Sequence, residues 1–202
     1  QTIRGCIFDI EECLMYIARI LYPVKVLGPG NRIGIWFAGC HHKCKGCSNP
    51  ELWKVDEKYF VTIEQVEKLI RTVAVEHEID GFTITGGDPV EQAVELTNLL
   101  VRVADISQDV ILYTGYQREE LTSEAQMKLL ERVSVLIDGE YKEELNDGAF
   151  LRGSSNQIVH ILSEQYRDKY EKYIRGNHNE IQNFMINNEV ISVGIHNKEF
   201  RF

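Results

Sequence analysis

The sequence predicts an α/β fold, an open partial (β/α) barrel of about five or six units with a C-terminal hairpin. Short apolar runs alternate with helical patterns along the 202 residues, which is typical of a mainly parallel sheet joined by right-handed helical crossovers. The units are also too few for a closed barrel of eight, which takes about 250 residues. Polar motifs follow the predicted strands, where parallel sheets gather their functional loops.

Local patterns predict the individual elements in order. An apolar run at residues 33–39, preceded by GPGN, predicts a buried strand that carries a cysteine-rich loop at its end. Thr62 and Gln65 form a capping box that starts a helix with apolar residues at helical spacing. The other predicted elements are strands at residues 81–85, 110–114, 135–137 and 157–162, helices at residues 90–107, 123–133 and 163–174, and a hairpin that turns at Asn187 and Asn188.

Composition limits the classes of function. With 44% apolar and 26% charged residues, the chain can bury one substantial core. A formal net charge of −9 without a basic cluster predicts that it binds neither nucleic acid nor an anionic membrane. No apolar run approaches the roughly 20 residues of a membrane helix, and the first residues lack a signal-peptide pattern, so we expect a cytoplasmic protein. Five cysteines suit metal binding better than a disulfide framework.

Three of these cysteines lie close together in the stretch FAGCHHKCKGC, at Cys40, Cys44 and Cys47. Thiolates are soft ligands that suit iron–sulfur clusters and zinc. A zinc site would add His41 or His42 as a fourth ligand and would be closed and structural. Three thiolates around a four-iron cluster would instead leave one iron without a protein ligand. The residues alone leave both kinds of site open.

The spacing of these cysteines resembles the signature of the radical S-adenosylmethionine (SAM) enzymes. Further motifs resemble one family within that group, the activating proteins of anaerobic ribonucleotide reductases. These motifs are GPGNR at residues 28–32, GGDP at 86–89, YTGY at 113–116, IDGEY at 137–141 and LRGSSNQ at 151–157. The resemblance runs in order from about Met15 to Gln157.

The resemblance implies a radical SAM oxidoreductase. Cys40, Cys44 and Cys47 would hold a [4Fe-4S] cluster, and SAM would bind the fourth iron. Reductive cleavage of SAM would give a 5′-deoxyadenosyl radical that abstracts hydrogen from a glycine of a glycyl radical enzyme, the anaerobic reductase. Reduced flavodoxin or ferredoxin would be the electron donor. No side chain of this chain is predicted to be catalytic, because no combination of acid, base and nucleophile accompanies the motifs.

The resemblance also implies residues that contact SAM. Gly86 and Gly87 lack side chains, so their backbone can approach a ligand closely. Asp138 and Asn156 are polar groups at the ends of strands, where open α/β sheets bind ligands; a turn role for the first and a cap role for the second are alternatives. The full predicted set is Gly46, Ser48, Gly86, Gly87, Asp88, Asp138 and Asn156.

Both ends of the chain lie outside the resemblance. Residues 1–14 are expected to be an added segment of unassigned role, with Cys6 and Cys13 as unrelated thiols, and residues 15–202 to form the radical SAM domain. The tail after Gln157 is a candidate docking surface for a protein partner. Two other functions remain open: a radical SAM enzyme that modifies a peptide or protein, and a non-catalytic zinc or iron–sulfur module that mediates protein contact.

Overall fold

The computed structural model describes residues 14–176 and 178–197. The predictions for residues 1–13, including Cys6 and Cys13, therefore lie outside the described residues. The strands are β1 (Leu14–Val24), β2 (Arg32–Phe37), β3 (Phe60–Thr62), β4 (Gly81–Gly86), β5 (Val110–Tyr113), β6 (Val135–Asp138), β7 (Ile158–Ile161), β8 (Ile181–Ile186) and β9 (Glu189–Gly194). The α-helices are α1 (Ile63–Glu76), α2 (Ala93–Arg102), α3 (Glu124–Leu130) and α4 (Arg167–Gly176).

Seven strands form one sheet in the order β3-β1-β2-β4-β5-β6-β7, and β8 and β9 form a separate hairpin. The four central strands β2, β4, β5 and β6 pair in parallel, which confirms the α/β class. Helix α1 starts at the predicted capping box, in which the Thr62 side chain accepts from the Gln65 amide and the Gln65 side chain accepts from the Thr62 amide. The predicted C-terminal hairpin is present and turns at Asn187 and Asn188, both with positive φ.

The outer strands make the sheet mixed rather than mainly parallel. The sequence patterns did not predict strands β1 and β3. Strand β1 pairs antiparallel with β2, and β3 pairs antiparallel with β1. Strand β7 runs antiparallel to β6. Between β6 and β7 the chain forms only a three-residue 3-10 helix, Glu143–Leu145, and a parallel return would need a longer crossover connection.

The two faces of the sheet are covered by different parts of the chain. On the outer face, Ile35 and Phe37 of β2 share a core with residues of α1, α2 and α3. On the inner face, Trp36 packs with Val193 of the hairpin, and Ile111 packs with Tyr170 of α4. Alternate residues of a strand point to opposite faces, so the chain after β7 completes the second core.

A buried ionic network fixes α4 against the amino ends of the central strands. Arg32 is fully buried, and its guanidinium donates to Thr83 Oγ1 at 2.9 Å and to the Phe82 carbonyl at 2.6 Å. It also lies 3.3 Å from Asp109 Oδ1, which accepts from the Tyr170 hydroxyl at 2.5 Å. The network joins strands β2, β4 and β5 to α4. None of the helices within the described ranges is long and apolar enough to cross a membrane.

Candidate functional site

The candidate site is a cavity of about 180 Å³ at the carboxyl ends of the parallel strands. This is the end of the sheet at which the sequence predicted a site. Seven of the ten predicted site residues line the cavity, namely Cys40, Cys44, Cys47, Ser48, Gly86, Gly87 and Asp88. Gly46, Asp138 and Asn156 are not among the lining residues.

Backbone hydrogen bonds fold the cysteine loop back on itself. At its base, the Gly39 amide donates to the Leu52 carbonyl at 2.9 Å and the Cys40 amide donates to the Trp53 carbonyl at 3.0 Å. At its tip, the Cys47 amide donates to the Cys44 carbonyl at 3.2 Å. Gly46 has φ +73°, a left-handed conformation that glycine adopts without strain. Gly46 thus allows the turn between Cys44 and Cys47, and its contact with SAM stays a prediction.

The three thiols suit an iron–sulfur cluster. All three are free and partly buried, and burial raises the pKa of the Cys40 and Cys44 thiols. A desolvated thiolate needs a positive partner, which bound iron supplies. In a four-iron cluster each thiolate binds a different iron, so the sulfurs need only line one wall. The donor set fits that requirement.

Neither His41 nor His42 is placed as the fourth ligand of a zinc site. The His41 ring lies 2.7 Å from Glu91, and the His42 ring lies between Asp88 and Glu140. Within residues 14–176 and 178–197, no group of three or more His, Cys, Asp and Glu side chains is placed to hold a single metal ion. The thiols and the imidazoles are therefore not assembled into one tetrahedral set.

His42 instead links the cysteine loop to two strand ends. Its Nε2 lies 3.3 Å from Asp88 Oδ2, and its Nδ1 lies 3.0 Å from Glu140 Oε1. The nearby Asp88 carboxylate, reinforced by Glu140, raises the pKa of His42 to about 9 although burial acts in the opposite direction. The ring also packs edge-on against the Tyr116 ring, with the two ring centroids 4.6 Å apart. Sequence reasoning missed this role, because no local pattern connects a loop histidine to two later strands.

The GGDP turn presses the end of β4 against the start of the cysteine loop. A Cβ on Gly86 would lie 2.4 Å from the Phe37 amide nitrogen, and one on Gly87 would lie 2.1 Å from the Gly39 carbonyl oxygen. The Gly87 amide donates to the Phe37 carbonyl at 2.8 Å. Glycine is therefore required here for close approach of one backbone to another, next to the cavity.

Asp88 is buried, and its carboxylate bridges the ends of two strands. It is only 1% exposed, and its carboxylate accepts from Thr114 Oγ1 at 2.9 Å, from the Gly115 amide at 2.8 Å and from the Val90 amide at 3.1 Å. These bonds hold the ends of β4 and β5 together. The Asp88 side chain lines the cavity, but its carboxylate oxygens already accept hydrogen bonds from other residues of this protein.

Asp138 and Asn156 differ in how fully the chain uses their polar atoms. Asp138 accepts from the Arg118 amide at 2.8 Å and from the Ile158 amide at 3.2 Å, which is a structural role between strands. Asn156 donates to the Glu140 carbonyl at 2.8 Å, but its Oδ1 is buried without a partner among the described residues. The indole Nε1 of Trp53, a cavity-lining residue, is also buried and has no partner in the described part of the chain. Trp53 Nε1 is therefore an unused donor in the cavity wall.

The tail contributes a wall of the cavity that the sequence did not predict. Ser192, Val193 and Gly194 of β9 line it, together with Ile195 and His196. The sequence predicts a docking surface in the tail after Gln157, and the path of the hairpin back to the strand ends depends on long-range packing. The alternating apolar residues of β9 were the available signal, since they indicate a strand with one buried face.

Comparisons with known proteins identify the family of this chain. A family model described as a 4Fe-4S single cluster domain matches residues 26–160. The anaerobic ribonucleoside-triphosphate reductase-activating protein of Salmonella typhimurium is 35% identical over 148 residues, which cover 96% of that protein and 70% of this chain. The proteins of the same name from Escherichia coli K12 and Enterobacteria phage T4 are 33% and 36% identical over 148 and 142 residues, covering 96% and 88% of those proteins and 70% and 68% of this chain. This chain belongs to the family of anaerobic ribonucleoside-triphosphate reductase-activating proteins.

Proposed function

We propose that this protein is a radical SAM activase that removes a hydrogen atom from a backbone glycine of an anaerobic ribonucleotide reductase. The observation that carries the proposal is that three free thiols meet the GGDP turn in one cavity at the carboxyl ends of the strands. The relatives' names supply the partner. A glycine is a suitable target because flanking amides stabilise its α-radical and no side chain blocks approach.

Cys40, Cys44 and Cys47 would hold the [4Fe-4S] cluster. When bound and reduced, such a cluster supplies the electron that breaks the carbon–sulfur bond of SAM and so provides the radical that accepts the glycine hydrogen. The electron donor would be reduced flavodoxin or ferredoxin. The protein holds these groups in place and keeps water from them.

The residues proposed to contact SAM divide by the atoms they offer. Ser48 offers its hydroxyl at the cavity wall, and Gly86 and Gly87 allow a ligand to approach their backbone. Asn156 Oδ1 and Trp53 Nε1 offer an unused acceptor and an unused donor, which suit the hydroxyl, amino and carboxylate groups of SAM. Gly46, Asp88 and Asp138 would act indirectly, by fixing the loop and strand ends.

Electron paramagnetic resonance of the protein mixed with its partner tests this function. The anaerobically reconstituted protein, reduced and supplied with SAM, should produce a glycyl doublet on the reductase, and the doublet should be absent when the reductase glycine is replaced by Ala. Cleavage of SAM without that signal, together with a new crosslink in a peptide, would favour a peptide-modifying enzyme. A reconstituted protein that never cleaves SAM would favour a non-catalytic iron–sulfur module.

A further inference from the structure

Strand β9 lies on the inner face of the sheet with one edge toward the cavity. The side chain of Gln182 in β8 donates to the Pro23 carbonyl at 2.7 Å and accepts from the Lys25 amide at 3.0 Å. Val193 of β9 is buried in the core that contains Trp36. Strand β8 therefore contacts the end of β1, and β9 is the strand of the hairpin that lies next to the cavity.

The hairpin register shows which backbone groups of β9 point away from β8. The two-residue turn makes Ile186 and Glu189 the first hydrogen-bonded pair, and hydrogen-bonded and non-hydrogen-bonded pairs then alternate. Ser192 pairs with Asn183 and Gly194 pairs with Ile181 at non-hydrogen-bonded positions. The amide and carbonyl groups of Ser192 and Gly194 therefore point outward, as those of Val190 do.

These outward groups form an unpaired strand edge at the cavity. Ser192, Val193 and Gly194 all line the cavity, whereas a strand that presented one face would contribute only alternate residues. Within the described ranges, β9 pairs with β8 and with no other strand. An unpaired edge of this kind binds an extended peptide by adding it as a further strand.

Contacts beyond β9 hold this edge in position. The hydroxyl of Ser192 lies 3.0 Å from His196 Nε2, and Asn146 Nδ2 donates to the His196 carbonyl at 3.0 Å. Asn146 Nδ2 also donates to the Tyr141 hydroxyl at 3.2 Å, and Tyr141 itself lines the cavity. The edge is therefore connected to the loop that follows β6 on the other side of the cavity.

We infer that an extended, glycine-containing peptide segment of the partner pairs with the outward backbone edge of β9 at Ser192 and Gly194, in the cavity that contains the three cysteines. The inference rests on the proposed function and adds the mode of substrate recognition. Backbone pairing suits a substrate whose reacting atom is itself a backbone Cα. The edge would bring that atom to the cavity while leaving the partner's side chains free to vary.

A pair of proline variants tests the edge. Ser192→Pro removes an outward amide inside the cavity, and Val190→Pro removes an equivalent outward amide near the exposed tip of the hairpin, where the residue does not line the cavity. Neither amide belongs to the ladder with β8, so both positions accept proline as edge positions do. Iron per chain and thermal unfolding report whether each variant is folded.

The probe is a fluorescein-labelled synthetic peptide spanning the radical glycine of the partner reductase. Its binding is followed by fluorescence anisotropy on the reconstituted protein with SAM and without reductant. Ser192→Pro should bind the peptide about tenfold more weakly, because a backbone hydrogen bond is lost, and Val190→Pro should bind it like the wild type. Equal affinity in the Ser192→Pro variant, equal weakening in both variants, or no binding by the wild type overturns the inference.

Hydrogen exchange on the wild type gives a second readout that does not depend on the variants. The amides of Ser192 and Gly194 should exchange more slowly when the peptide is bound, and unchanged exchange there overturns the inference. Failure of this inference is distinguishable from failure of the proposed function. If the wild type forms a glycyl doublet and β9 has no role, the proposed function holds and the inference about β9 fails. If the peptide pairs with β9 but no doublet forms, the inference holds and the proposed function fails.

Discussion

Gly87 lies at the closest contact between the end of β4 and the cysteine loop. An added methyl group would lie 2.1 Å from the Gly39 carbonyl oxygen, so Gly87→Ala must displace the loop that carries Cys40. Because packed interiors have no room for such a group, we expect this variant to lose roughly half or more of its iron after anaerobic reconstitution. Gly176→Ala is the control, since its Cβ meets nothing within 4 Å. Equal iron in the two variants contradicts the prediction.

Iron content also separates ligands from neighbours among the cysteines and histidines. Replacing Cys40, Cys44 or Cys47 by Ala should abolish the four-iron cluster, because each thiolate would bind a different iron in the proposed site. Cys6→Ala and Cys13→Ala should retain it. His42→Ala should also retain most of the iron, because the ring contacts Asp88 and Glu140 rather than completing a metal site. Loss of metal in the His42 variant would restore the zinc interpretation.

At the scale of elements, Tyr170 and Lys169 of α4 both donate hydrogen bonds to Asp109, immediately before β5. The Tyr170 hydroxyl donates to Asp109, which also accepts from Lys169 Nζ at 2.6 Å and pairs with Arg32. Tyr170→Phe removes one donor to a buried carboxylate and should lower the free energy of unfolding by about 1–3 kcal/mol. Urea unfolding measures this, with Tyr166→Phe as a control whose hydroxyl has no partner among the described residues. Equal stability of both variants would show that Asp109 is satisfied without Tyr170.

Two tyrosines, Tyr170 of α4 and Tyr113 of β5, make the stability of the fold sensitive to alkaline pH. Burial raises the pKa of Tyr170 and of Tyr113, so both remain neutral in the folded chain when an unfolded tyrosine, with a pKa of about 10, ionises. Their contribution to stability is fully present below pH of about 10 and falls as the pH rises above it. Tyr170→Phe should show a smaller fall in unfolding free energy between pH 9 and 11, read from urea midpoints. A fall as steep as that of the wild type contradicts the prediction.

Across the whole molecule, features specified by local sequence were predictable. The caps of α1 and α3, the cysteine loop and the GGDP turn each depend on a few adjacent residues. Strand β1 was missed because its pairing with β2 shifts register twice, so its buried residues do not alternate regularly. The contacts of His42 and the place of β9 at the cavity depend on residues far apart in the chain, which no local pattern specifies.

The position of β9 sets an order of events during synthesis. Cys47 and Gly194, which line one cavity, are separated by 147 residues, so at about 5–20 residues per second the ribosome adds the second roughly 7 to 30 seconds after the first. Until then the inner face of the sheet, with Trp36 and Ile111, lacks its cover of α4 and hairpin. The cavity that the three thiols line therefore lacks one of its walls until the chain is complete.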